Sequence, residues 1–159
     1  MAVRRAQMRD IPGIMELLVQ VDMVHHNGRP DLFDGPGTKY SEDELEEILK
    51  DEETPVFVMT DENDEKVLGH AFCIFEQPKG SRVLKSVKTL YIDDICVEEN
   101  ARGMNVGRRL FEHVKAFAKE QGCYHITLNV WSCNPGAMRF YEKLGMTPYK
   151  VGMEMLLED

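Results

Sequence analysis

Apolar positions along this chain follow two periods, and the switches between them outline its elements. Ile14, Leu17, Leu18 and Val21 recur at helical spacing behind Asp10, a residue suited to cap a helix. Val106, Leu110, Val114 and Phe117 form a second helical stripe, widened by Phe111 and Ala118. That spacing predicts a helix over residues 106–122, ended by Gly122. Between the two helices lie short apolar runs: Val56 to Met59, Val67 to Glu76, and the β-branched stretch Thr89 to Val97. The polar turn from Asp61 to Glu65 makes the first two a hairpin. Residues 2–6 and Tyr124 to Val130 are further strand candidates, and the Met-rich residues 148–157 are expected to form a last strand.

The polar segments punctuate this pattern. His25 to Tyr40 is rich in Gly, Pro, Asp and Asn and reads as a loop. Ser41 and Glu44 have the spacing of a capping box, which opens an acidic helix to about Lys50. Asn134 to Leu144 is a helix with Asn at its cap and Pro135 in its first turn, stopped by Gly145. Strands, then helix, strand, helix, strand predict a mixed α/β sandwich around one sheet. With no internal repeat or low-complexity linker, residues 1–159 are expected to form a single domain large enough to bury a core.

Composition narrows the function classes. The formal net charge of −9 disfavours nucleic acid and other polyanions as partners and tilts the expectation towards a cationic substrate. No apolar run approaches the length of a membrane span, and the start of the chain lacks the uninterrupted apolar core of a signal peptide. Cys73, Cys96, Cys123 and Cys133 are scattered, with no C-x-x-C pair, which argues against a disulfide framework or a zinc site. A cytoplasmic protein without metal is the expectation.

The most informative segment runs from Asn100 to Leu110 and joins an apolar strand to an amphipathic helix. Its glycines permit a tight turn and close approach of the backbone to a ligand. The opening turn of the helix presents free N–H groups, a place for phosphate or pyrophosphate, with Arg102, Arg108 and Arg109 as nearby donors. Neither the P-loop pattern nor the dinucleotide fingerprint occurs. On spacing alone, a glycine-containing turn with solvated arginines explains the segment as well as an anion site does.

With its neighbours, this segment resembles the GNAT superfamily of N-acetyltransferases. The family's acetyl-CoA motif is [Gln/Arg]-x-x-Gly-x-[Gly/Ala]. Arg102 and Gly107 match its ends, and Asn105 replaces its middle glycine. Asn tolerates left-handed backbone angles better than most residues, so the loop can survive the change. Leu90 to Val97 resembles the family's central strand. Asn129 to Met146 resembles its second motif, Asn-x-x-Ala-x-x-Phe-Tyr-x-x-x-Gly-Phe, with Met146 at the final aromatic.

The resemblance implies a central mixed, mostly antiparallel sheet with splayed central strands and helices on both faces. It implies acetyl-CoA as cosubstrate, its pantetheine arm on the main chain of Ile95, Cys96 and Val97. The pyrophosphate would lie on the segment Arg102, Gly103, Met104, Asn105, Val106, Gly107 and Arg108. Asn134 and Ala137 would meet the far side of the arm; for Asn134 a plain helix cap is the competing reading. Tyr141 would donate a proton to the departing thiolate. An ordinary tyrosine titrates near 10 and a simple thiol near 8.5, so that transfer is uphill by roughly 2 kcal/mol, which a site can offset. Without the motif, Tyr141 is an ordinary helix-face aromatic.

Freeing an amine of ordinary pKa at pH 7 costs about 4.6 kcal/mol, so a base is needed. Asp93 is the first choice by resemblance, with Asp94 or water as alternatives; neighbours on a regular strand face opposite ways, so only one of the two carboxylates is expected to enter the site. Direct attack of the amine is expected rather than an acetyl-Cys96 intermediate, since no histidine stands at an activating spacing. His25 and His26 open the loop that would border the acceptor, a primary amine of a small molecule or peptide. A homodimer is plausible by family analogy. The competing classes are a catalytically silent CoA-binding regulatory module, an unrelated phosphate-ligand binding protein, and a partner-binding domain that exposes Met153, Met155 and Leu156.

Overall fold

A computed structural model describes residues 2–157, which fall into two compact units, one up to Asn129 and one from Val130. The first unit contains β1 (Ala2–Arg5), α1 (Ile11–Gly28), α2 (Glu42–Lys50), β2 (Val56–Thr60), β3 (Val67–Glu76), β4 (Thr89–Val97), α3 (Val106–Glu120) and β5 (His125–Leu128). The second contains α4 (Pro135–Lys143). The sheet order is β1-β2-β3-β4-β5, antiparallel except for the parallel pair β4 and β5. The mixed α+β, mostly antiparallel class expected from the sequence is therefore present. Among the described residues no helix is long and apolar enough to cross a membrane.

The sheet is covered on both sides, which is why β2 reads as an unbroken apolar run: all five of its residues are buried. Val56, Val58, Phe72 and Cys96 face Ile14, Leu17 and Leu18 of α1 and Leu45 of α2. On the other face, Phe57 meets the rings of His113 and Phe117 on α3 edge-on at 5.0 Å. Each fully buried leucine contributes about 1.5–3 kcal/mol, so these two layers supply most of the driving force for the unit. Gly69 on β3 sets how closely α3 approaches. A Cβ there would lie 2.8 Å from Val106, 2.9 Å from Leu110 and 3.0 Å from the Cys96 carbonyl oxygen.

Local signals were read correctly at several ends. Ser41 and Glu44 form the expected capping box. Gly122 follows α3 at φ +74°, with Cys123 N–H donating to the Ala118 carbonyl and Gly122 N–H to that of Lys119. That crossed pair satisfies carbonyls the helix leaves open. Gly145 ends α4 the same way at φ +99°, through Met146 to Tyr141 and Gly145 to Glu142.

Three expectations need correction. Asp10 precedes α1 but does not cap it: Arg4 binds both of its oxygens at 2.8 and 2.9 Å, and the Gln7 N–H donates to it at 2.7 Å. A bidentate guanidinium outcompetes neutral helix amides for a carboxylate. The loop expected from His25 starts later, because α1 runs to Gly28, with the Arg29 N–H donating to the His25 carbonyl. Residues 148–157 are not a strand. Apolar content suits a strand, but a strand exists only with a ladder partner, and none pairs with this run among the described residues. Its large side chains are exposed, Met153 to 89% and Leu157 to 91%.

Replacing Gly69 with Ala is expected to lower unfolding stability by about 1–3 kcal/mol, because the new methyl meets helix side chains and a backbone oxygen. Chemical denaturation of the two proteins measures it.

Candidate active site

Strand β4 carries the acidic end of the candidate site. Its register against β3 pairs Phe72 with Asp94 and Cys73 with Ile92, so Asp93 is an extra residue in a β-bulge. The bulge cancels the alternation expected for neighbours. Asp93 Oδ1 accepts from Lys39 Nζ at 2.9 Å, and Asp93 Oδ2 accepts from the Tyr40 hydroxyl at 2.6 Å. Tyr40 packs on Phe72, the register partner of Asp94. Asp94 Oδ2 lies 2.9 Å from His70 Nε2. Both carboxylates thus serve the face covered by α1 and α2, where only one was expected. Burial, then the hydrogen bond to Asp93, pushes the Tyr40 hydroxyl well above the usual tyrosine range.

The ladder on the far side of β4 stops at the same place. β5 pairs only from Thr89 with His125 to Ile92 with Leu128. Beyond Ile92, among the described residues, the main-chain groups that point away from β3 have no strand beside them. Ile95, Cys96 and Val97 pair with Ala71, His70 and Gly69 on one side only. Cys96 is buried and Ile95 and Val97 half-buried, so this edge offers main-chain donors and acceptors to a partner other than a strand.

The segment after β4 makes a short 3-10 turn, Glu99–Ala101, and then enters α3 through two left-handed residues. Gly103 has φ +90° and Asn105 has φ +59°, ψ 24°. The asparagine adopts the conformation for which the motif's missing glycine would otherwise be needed. Asn105 makes no side-chain cap, and the first main-chain bond into the helix runs from the Arg109 N–H to the Asn105 carbonyl at 3.0 Å. The N–H groups of Val106, Gly107 and Arg108 therefore have no helical acceptor, and the helix dipole adds partial positive charge there. Arg102, Gly103, Met104 and Asn105 are exposed, while Val106 is buried and anchors the turn.

In the second unit, Asn134 caps α4 by accepting from the Ala137 N–H at 3.2 Å. That contact realises the helix-cap reading of Asn134. Tyr141, on the same helix, is buried and meets the Phe140 ring edge-on at 5.0 Å.

The thiols and the remaining histidines have other duties. Burial pushes the Cys96 thiol up to about 12, with the charge of Asp94 adding to it, and the thiol donates to the Leu17 carbonyl. Cys73 is likewise pushed up to about 12 by burial. Neither has the thiolate character that nucleophilic catalysis requires. His26 Nδ1 donates to the Phe33 carbonyl at 2.7 Å and His25 stacks against Phe33, so both hold the loop in place. Among the described residues no group of three or more His, Cys, Asp or Glu is placed to hold a metal. Sequence reasoning missed Lys39, Tyr40 and His70. His70 had a signal, a lone histidine in an otherwise apolar strand; Lys39 and Tyr40 reach Asp93 across more than fifty positions and had none.

Comparison with known proteins identifies the family and the fold. The profile of the acetyltransferase (GNAT) family matches residues 22–146. Glucosamine 6-phosphate N-acetyltransferase 1 of Dictyostelium discoideum is 37% identical over 67 residues, 42% of this chain and 41% of that protein. Streptothricin acetyltransferase of Streptomyces lavendulae is 39% identical over 56 residues, 35% of this chain and 30% of that protein. The chain thus aligns with less than half the length of these curated relatives. A crystal structure of a mutant BH1408 protein from Bacillus halodurans superimposes with a TM-score of 0.94 at 30% identity, covering 99% of this chain and 100% of that one.

Two outcomes are expected. Asn105→Gly should keep the fold at undiminished stability, whereas Asn105→Val should lose about 1–2 kcal/mol, the cost of a left-handed β-branched residue, as read by thermal unfolding. In a thiol-reagent time course, exposed Cys133 should react first, and Cys73 and Cys96 only after denaturant is added.

Proposed function

The chain belongs to the acetyltransferase (GNAT) family, and from that premise we propose that it moves the acetyl group of acetyl-CoA onto a primary amine by direct attack in a ternary complex. The observation that carries the proposal is the pairing of two features of one segment: β4 loses its outer neighbour at Ile92, and α3 begins with unpartnered amides behind a left-handed Asn105. The first suits the amide-bearing pantetheine arm and the second its pyrophosphate. The main chain of Ile95, Cys96 and Val97 would hold the arm. The backbone of residues 103–108, with Arg102 and Arg108 as added donors, would hold the pyrophosphate. Asn134 and Ala137 would contribute from the cap of α4.

Bound acetyl-CoA supplies an activated acetyl thioester. The Tyr141 hydroxyl gives its proton to the departing sulfur. The acidic pair at the bulge attracts the acceptor's ammonium and, directly or through water, takes the proton that frees its lone pair. With both oxygens of Asp93 engaged by Lys39 and Tyr40, that residue acts only by releasing one of them. The raised thiols of Cys96 and Cys73 support direct attack over a covalent acetyl-enzyme.

The acceptor class is a cationic amine of a small molecule or peptide. One relative is named as a glucosamine 6-phosphate N-acetyltransferase and another as a streptothricin acetyltransferase, and the net charge of −9 favours a cation. Four free thiols suit a cytoplasmic setting. The exposed apolar side chains from Tyr149 to Leu157 favour association with a second copy.

The test is CoA release from acetyl-CoA against a polyamine, an amino acid, an aminoglycoside and a lysine-containing peptide. Turnover with one class, lowered about 100-fold or more in Tyr141→Phe while acetyl-CoA still binds, is the expected result. Absence of acetyl-CoA binding to the wild type would overturn the proposal.

A further inference from the structure

Building on the acetyl-transfer reading above, we infer that His70 is a positioning residue that selects Asp94, not Asp93, as the carboxylate that receives the acceptor's amine. The bulge turns both carboxylates to one face, and their surroundings then separate them. Asp93 has an ammonium on one oxygen and a phenol on the other. Its charge is balanced within the protein by Lys39, and both of its oxygens are occupied. Asp94 has a single partner, the His70 ring at its Oδ2. Its Oδ1 has no hydrogen-bond partner among the described residues, and the side chain keeps 10% of its surface exposed. An incoming cationic amine therefore finds one ready acceptor atom.

The geometry of His70 fixes how it acts. A carboxylate has no proton to offer, so Nε2 carries the hydrogen and donates it to Asp94. The ring is wholly buried and stands edge-on to Phe72 at 4.9 Å, which removes its freedom to swing. Nδ1 is buried without a partner among the described residues. A core position that served packing alone would be filled better by an apolar ring of similar size, since half of this one's polar capacity is unsatisfied. The half that is satisfied points at Asp94. Cys96, the register partner of His70, has its thiol turned to the Leu17 carbonyl and does not compete for the ring. His70 thus clamps one oxygen of Asp94 and leaves the other directed towards the acceptor; it touches no substrate itself.

The experiment compares wild type, His70→Phe, His70→Gln, Asp94→Asn and Asp93→Asn with the best amine from the panel above. His70→Phe removes the donor and keeps the volume, and the Gln amide can place an N–H where Nε2–H was. The expected result is that His70→Phe raises the KM for the amine about tenfold, as loss of a hydrogen bond to a charged group would, with the acetyl-CoA Kd unchanged. His70→Gln recovers most of that loss, and Asp94→Asn is more damaging than Asp93→Asn. An unmoved amine KM in a folded His70→Phe, an equal rise in the acetyl-CoA Kd, or greater damage from Asp93→Asn would overturn the inference. Nitrogen-15 NMR of the wild-type imidazole gives a readout independent of turnover and of variant folding: a proton on Nε2 supports the clamp, and a proton on Nδ1 alone overturns it. If the wild type binds no acetyl-CoA, the acetyl-transfer reading falls; if it turns over while His70→Phe leaves the amine KM unmoved, only this inference does.

Discussion

From Thr89 to Ile92, strand β4 has a neighbour on each side; from Asp94 to Val97 it has one among the described residues. The rest of the arrangement depends on that change. A strand in the middle of a sheet normally satisfies its backbone on both edges, and removing one edge in a covered interior is costly unless something else binds there. The bulge at Asp93 sits at the point of change, where an added residue bends the strand and increases its local twist. One irregularity therefore coincides with three properties of the site. It marks the start of an open backbone edge, it brings two adjacent carboxylates to one face, and it precedes the segment that enters α3.

The two ends of this strand region are chemically opposed. Asp93 and Asp94 form an acidic corner on the face covered by α1 and α2, with the neutral Tyr40 hydroxyl donating to Asp93. The amides at the start of α3 form a positive one, reinforced by the helix dipole. A reaction that joins an anionic cofactor to a cationic acceptor uses such a separation directly, because each ligand is attracted to its own corner and repelled from the other. On the proposed reading the chain's negative charge does not need to act as a whole, since two carboxylates, one of them paired with the exposed Lys39, would receive the acceptor.

Much of this was legible in the sequence because it rests on local rules. β3 and β4 have the boundaries their apolar runs predicted, and Ser41, Gly122 and Gly145 end or begin helices as such residues do. The tolerance of Asn for left-handed angles anticipated the conformation of Asn105. What could not be read was decided across long sequence separations. A bulge is a property of two strands in register, so Asp93 and Asp94 were expected to diverge. Arg4 claims Asp10 from the helix it was expected to cap. Tyr40 reaches Asp93 across α2, β2 and β3, which separate the two in the sequence. Residues 148–157 show the converse, a strand-like composition that pairs with no strand among the described residues.

Gly69 carries no chemistry, yet α3 rests on it through Val106 and Leu110, the first turns of the helix whose amides form the positive corner. A screen that scored only lost turnover would rank this position beside the reacting groups. The distinction lies in what an added side chain changes: at a reacting group, the fate of a proton; at Gly69, the distance between a helix and a sheet. A family of sequences constrained at both would show two equally strict positions with unrelated causes, and only the missing Cβ tells them apart.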